Sequence, residues 1–333
     1  MVVIVDFYQV HFIESVKLRG RQHKPDQGKG KKCQPFFRKL REILMWRKLR
    51  KQGSNWCCRI GLGLAIGTVL IALASNNRCA DRSYHYQALA AEEAPLYSEE
   101  MQIQVELERL AREDPLGLLR LAQESYHKSV RDYTCTFIKQ ERINGHFKDP
   151  EKIRVYFKEA PFSVLMNWQE PKGPVDTLLY VEKDGNKTIL VHPAGLAGLL
   201  VRTVRRDIDD PRLKKSSLRT PAGFGFGRVL DDMVSTYEEA DKNGDLVIEY
   251  LHSKVLDGRE CLVLRRKLPM DKGYDTLYAV LYIYLDKEYL LPTRTEGYDT
   301  AGNLISCYRY LDVRFNRGLT DQLFSPRANG LDG

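Results

Sequence analysis

The chain has 333 residues, 43% apolar and 29% charged, which is enough material for one sizeable core and excludes wholesale disorder. Its net charge of +8 is unevenly placed: residues 1–74 hold 15 Lys/Arg against 4 Asp/Glu, and the remainder holds 37 basic against 40 acidic residues. The body therefore carries no electrostatic footprint for nucleic acid, and seven cysteines are too few for a disulfide scaffold of this length.

Residues 1–44 are a basic extension. Phe36, Phe37, Leu40, Ile43 and Leu44 among Arg38, Lys39 and Arg41 have the pattern of a basic amphipathic helix suited to a membrane surface. The competing reading is a mis-called start, with Met45 as the true first residue. Residues 45–74 read as a signal peptide or short anchor. Arg47, Lys48, Arg50, Lys51 and Arg59 precede the uncharged run Ile60–Ala74, which ends in Ala72-Leu73-Ala74. As a helix that run reaches about 22 Å, short of a ~30 Å hydrocarbon core, so a cleaved signal is expected. The expected destination is the periplasm or cell envelope, with a membrane tether if the signal is retained. Cys79 follows the expected cut, but Asn76-Asn77-Arg78 lacks the small and apolar residues of a lipidation site. Residues 75–95 show no sustained period and read as a tether.

Residues 96–331 read as one domain. Met101, Val105 and Leu107–Leu110 recur near helical spacing. Asp114-Pro115 opens a second helix ending near Val130, with Leu118, Leu119, Leu121, Ala122 and Tyr126 as its buried stripe. The period then changes to 2. Strand-like runs cover Tyr133–Ile143, Lys152–Lys158, Phe162–Gln169, Thr177–Glu182, Lys187–His192 and Leu199–Arg206, divided by turn residues such as Asn144-Gly145 and Asp184-Gly185. A basic stretch, Arg205–Arg219, interrupts them, and a helix over about Arg228–Ala240 follows. Strands resume at Leu246–Val255, Glu260–Lys267, Leu277–Asp286, Pro292–Tyr298 and Leu304–Phe315. Without βαβ alternation a parallel sheet is disfavoured. The expected fold is α+β: a curved antiparallel sheet, a half-barrel of about eleven strands, packed with a few helices. Leu277–Leu285 is apolar on both faces, so it needs a core or cavity on one side and a helix on the other.

Motifs for chemistry are sparse. Gly223–Gly227 (GFGFG) before a helix matches neither GxGxxG nor GxxxxGK[ST], and reads as a flexible loop whose phenylalanines cap the sheet rather than as a phosphate cradle. Asp241–Asp245 starts like an EF-hand, but Leu246 and His252 stand where Gly and Glu are required, so it reads as a turn. His127, His146, His192 and His252 are isolated, and no G-x-S-x-G is present. Lys139, Glu141 and Arg142 suit either an acid–base group or a solvated strand face. Cys79, Cys135, Cys261 and Cys307 allow three full pairings in an oxidising compartment, although the last three lie in strand-like runs where cysteine is often a small buried apolar residue. Pro193–Leu200 (PAGLAGLL) is an apolar, glycine-interrupted link that suits a lid or a buried crossover.

The blocks Asp132–Arg142 (DYTCTFIKQER) and Phe157–Trp168 (FKEAPFSVLMNW), following the Asp114-Pro115 helix, resemble a bacterial envelope family named domain of unknown function 1571, over about Asp114 to Leu331. The helix-then-strands layout is also similar to the LolA and LolB periplasmic lipoprotein carriers, which fold as an unclosed half-barrel over a hydrophobic cavity. That likeness implies a non-enzymatic binder or carrier of a lipid, an acyl chain or a lipidated protein, in contact with a membrane surface. Phe162, Val164, Met166, Trp168, Tyr282 and Tyr284 are the expected lining, with Leu196, Leu199 and Leu200 at the mouth or as a lid. No cofactor, metal or nucleic acid is expected. The alternatives are an envelope protein-interaction module with a filled core, and a hydrolase whose site assembles from distant residues.

Overall fold

The computed structural model describes residues 99–170, 173–200, 203–274 and 277–331. The extension, signal and tether expected over residues 1–95 lie outside the described residues. Helix α1 spans Glu99–Glu113 and α2 spans Pro115–Ser129. Asp114 caps α2, its carboxylate accepting the Gly117 N–H at 2.7 Å, and Pro115 sits in the first turn where no N–H is needed. No described helix is long and apolar enough to cross a membrane.

The strands are β1 (Asp132–Ile143), β2 (His146–Phe147), β3 (Glu151–Lys158), β4 (Ser163–Glu170), β5 (Val175–Val181), β6 (Thr188–Pro193) and β7 (Val204–Asp207), then β8 (Val247–Leu256), β9 (Arg259–Lys267), β10 (Val280–Asp286), β11 (Pro292–Tyr298) and β12 (Leu304–Phe315). They form a single 12-stranded sheet in the order β7-β6-β5-β4-β3-β1-β12-β11-β10-β9-β8, with β2 paired to β1 alone. Every pairing is antiparallel. The sheet is two meanders fused where β1 meets β12, and it is open, since β7 and β8 end the order unpaired with each other. A short helix α3 (Gly195–Leu200) links β6 to β7, and between the meanders lie the short α4 (Pro211–Lys214) and the long α5 (Phe226–Lys242).

The sheet bends around α5 and α2. Helix α5 buries Phe226, Leu230, Met233, Val234 and Tyr237, one stripe at helical spacing. Helix α2 brings Leu118, Leu119, Leu121, Ala122 and Tyr126 against it, each buried leucine contributing about 1.5–3 kcal/mol. Arg120 Nε to Glu238 and Gln123 Nε2 to Asp231, both 2.7 Å, tie the two helices at their rim. An aromatic seam joins helix to sheet: the Phe226 ring lies 4.4 Å from Tyr310 and 5.2 Å from Tyr133, and Tyr133 stacks on Phe157 at 4.6 Å.

The outer face carries smaller clusters. The C-terminal segment lays Phe324 and Leu331 over Leu165, Leu179 and Leu190. It is held at its start by Asp132, whose carboxylate accepts the backbone N–H groups of Arg317, Gly318 and Leu319. Cys261, Val263 and Tyr284 cluster with Leu251, Leu256 and Tyr282. Strand β10 is thus apolar on both faces as expected, but neighbouring strands rather than a helix complete its outer side.

Three local expectations are corrected. The strand expected over Leu199–Arg206 begins only at Val204, because Gly195–Leu200 is a short helix. Asp241-Lys242 end α5, and Asn243 with positive-φ Gly244 terminates the helix before β8 instead of forming a hairpin-like turn. Gly223–Gly227 is a tightly packed helix entry rather than a flexible loop: Phe224 and Phe226 are both buried. Cys135, Cys261 and Cys307 are free thiols, and burial pushes the Cys261 thiol up to about 11, keeping it protonated and unreactive near neutrality.

Candidate functional site

The helices fill only one end of the concave side. At the other end is a cavity of about 410 Å³, within the ~300–1,000 Å³ range of ligand pockets. Its walls come from both meanders, with Val204 of β7 and Leu281 of β10 lining the same space, so the sheet curls around it. Side-chain alternation supplies the apolar surface. Met166, Leu178 and Val191 stand opposite one another across β4, β5 and β6 and form one inward row. Phe137 and Ile153 extend that surface across β1 and β3, and Val229 and Met233 of α5 face it from the far side.

A polar group sits in this wall. Glu141 is 3% exposed, and its carboxylate accepts the Tyr308 hydroxyl at 2.6 Å, the Ser217 hydroxyl at 3.1 Å and the Leu218 N–H at 3.2 Å. Lys139 Nζ lies 3.8 Å from Glu141 and 3.3 Å from Glu151, and Glu151 also accepts the Trp168 indole N–H. Burial foremost, then Tyr278 and Glu141, push the Tyr308 phenol far above its ordinary range, so it remains a donor. Lys139 and Glu141 thus belong neither to an acid–base centre with Arg142 nor to a solvated face. Arg142 turns away to the carbonyls of Leu304 and Gly145. Glu141 instead pins residues 217–218, and with them the loop leading to α5, onto β1. Replacing it by alanine leaves the buried Tyr308 hydroxyl and two part-buried donors without this acceptor, at about 1–3 kcal/mol. The expected result for Glu141→Ala is a fall in urea midpoint of that size, with faster proteolysis between Ser216 and Gly223.

The expected lining residues divide. Met166 and Trp168 line the cavity. Phe162 and Val164 lie on the same side but in the solid end, where Phe162 packs edge-on to Phe157 at 5.3 Å and Arg228 sits over its ring at 3.6 Å. Tyr282 and Tyr284 are on the outer face of β10. The register of β10 against β9 sends Leu281, Ile283 and Leu285 inward, and with a period of 2 the tyrosines must point out. Leu196, Leu199 and Leu200 are not in the lining; they are 80%, 80% and 87% exposed on α3. This helix bridges β6 and β7, whose Pro193 and Val204 are wall residues, so the leucines stand at the rim and face outward.

Sequence reasoning missed Tyr278, Leu281, Leu213 and Arg219, all in the lining. Leu213 and Arg219 lie in the basic stretch that reads only as an interruption between strands. The alternation of β10 carried a signal for Leu281 once one face had to be chosen. Among the described residues no group of three or more His, Cys, Asp or Glu side chains is placed to hold a metal ion. His127 pairs with Asp231 at 2.7 Å on the exposed rim of α2 and α5, away from the cavity lining.

Comparison with known proteins places the chain. The family model described as "Protein of unknown function (DUF1571)" matches residues 130–330. The chain belongs to this family. No match is found among curated proteins. Among solved structures, a DUF1329 family protein from Desulfovibrio piger is similar at 16% identity, over 64% of this chain and 96% of its own, with a TM-score of 0.36. A putative outer membrane lipoprotein-sorting protein domain from Vibrio parahaemolyticus shows 15% identity over 65% and 97%, with a TM-score of 0.35. A LolA superfamily protein from Nitrosomonas europaea shows 12% identity over 64% and 97%, with a TM-score of 0.30. Values this low have no bearing on function.

Proposed function

We propose that this chain is an exported, non-enzymatic binder or carrier that holds the acyl chain of a lipid or lipidated protein in the cavity under its sheet. The observation that carries the reading is the cavity itself. An open sheet with a well-packed helical plug keeps about 410 Å³ at one end bounded mainly by apolar side chains, a surface whose burial by a hydrocarbon chain is favourable by roughly 0.8 kcal/mol per methylene. Met166 and Trp168 are retained as lining residues in this proposal, joined by Leu178 and Val191. The filled-core interaction module requires a packed centre where this cavity lies. A hydrolase requires a nucleophile and base converging on it, whereas Glu141, Ser217 and Tyr308 in its wall are engaged with one another in holding the loop. Export rests on the signal-like pattern of residues 45–74.

Native mass spectrometry of gently purified protein, followed by organic extraction, tests the reading. Co-purifying lipid, or uptake of a dodecyl-chain probe at one per protein, is expected; a protein that repeatedly emerges empty and ignores such probes overturns it. The exposed leucines of α3 are expected to touch the membrane surface during loading. The triple variant Leu196→Ser, Leu199→Ser, Leu200→Ser should take up chain from vesicles several-fold more slowly, while equilibrium affinity for the soluble probe and thermal stability stay unchanged, because these side chains are already in water.

A further inference from the structure

The charged side chains lining the cavity are Lys139, Arg206, Arg212 and Arg219 against Glu141 and Glu151. Lys139 stands between the two carboxylates. Arg206 and Arg212 both reach Asp210, at 3.9 and 2.7 Å. Arg219 differs. Among the described residues no carboxylate lies within ion-pair distance of it. Its neighbour is Tyr278, whose ring centroid is 5.9 Å from the guanidinium carbon and whose hydroxyl it also meets. Asp232 acts on it only from further off.

Its position is equally distinct. Arg219 retains a large exposed surface, yet it lines the apolar cavity and also a second pocket of about 260 Å³. Burial by the surrounding protein works against its charge, but Tyr278 and Tyr308 more than offset this, so its pKa is raised. The second pocket is mixed where the first is mainly apolar: Asp232, Thr236, Tyr237, Arg266 and Tyr278 bound it together with Val229, Met233, Leu277 and Leu281. Thus Arg219 stands where the mainly apolar cavity meets the pocket that has polar groups in its wall. The segment that carries it is fixed, since Glu141 holds Ser217 and Leu218 just before it. A guanidinium remains protonated under all working conditions, and in confined, partly desolvated surroundings its pairing with an anion is stronger than at an open surface.

We infer that the guest is an anionic amphiphile, with its chain in the apolar cavity and its carboxylate or phosphate headgroup paired with Arg219 at the junction. This deepens the carrier reading and rests on it. The test compares dodecanoate, dodecyl phosphate, dodecanol and inorganic phosphate as titrants of the full chain, for wild type, Arg219→Gln and Arg219→Lys, with far-UV circular dichroism confirming that each variant is folded. Wild type is expected to bind both anionic chains at least about 10-fold more tightly than dodecanol. Arg219→Gln should lose that preference, its affinity for the two anionic chains falling to that for dodecanol, and Arg219→Lys should keep part of it. Equal binding of charged and neutral chains by wild type, or a preference that survives in Arg219→Gln, overturns the headgroup role and leaves the carrier reading standing. Inorganic phosphate binding as tightly as dodecyl phosphate overturns it in favour of a free-anion site. Failure of every chain-bearing probe removes the carrier reading and this inference with it.

Discussion

Gly225→Ala is expected to lower the unfolding free energy by about 3 kcal/mol, read as a shift in urea midpoint at unchanged slope. Two independent effects add there. The residue before α5 has φ 109° and ψ 150°, a conformation open to glycine and strained for any residue with a Cβ. An alanine Cβ would also stand 2.7 and 2.8 Å from Cε2 and Cζ of Phe157. That ring cannot yield: it is 1% exposed and wedged among Tyr133, Phe162 and Phe224. The neighbouring Gly223 supplies the control, since its φ is ordinary and nothing lies within 4 Å of its Cβ position. Gly223→Ala should change stability by no more than about 0.5 kcal/mol. A similar small loss at both positions would mean that α5 does not enter the sheet as described.

Leu178→Trp should abolish most chain binding while leaving the fold intact. Leu178 is the centre of the inward row with Met166 and Val191, and it faces open cavity, so a larger side chain has room to extend without displacing packed neighbours. If the indole excludes three or four methylenes of the guest, the loss is about 3 kcal/mol, or roughly 100-fold in affinity for a dodecyl probe. Melting temperature should hold or rise, because the added ring buries apolar surface that is otherwise uncovered. Tyr282→Ala is the matched control: Tyr282 lies on the outer face of β10, so probe affinity should be unaffected. Undiminished binding by Leu178→Trp, or a strong loss in Tyr282→Ala, would place the guest elsewhere.

Much of the architecture was legible along the chain. The change from a 3.6 to a 2 period at Asp132, the Asp114-Pro115 helix start and the turn pairs Asn144-Gly145 and Asp184-Gly185, all four residues at positive φ, are local signals of local structure. Met166 and Trp168 were accessible in the same way, as inward residues of an alternating strand. The same alternation put Phe162 and Val164 on the correct face but could not tell that α5 and the Phe157 ring fill that end.

By itself, then, the sequence determined the element types, their antiparallel character and which strands have a greasy face. Tertiary structure alone decided which side of β10 turns inward, that α3 holds its three leucines toward solvent, and that Arg219, outside every strand, reaches the boundary between the two pockets. The physical reason is that backbone preference and periodicity act over a few residues. The concave side, by contrast, exists only once β1 pairs with β12 and the fused sheet curves around α5, a helix far in sequence from both strands.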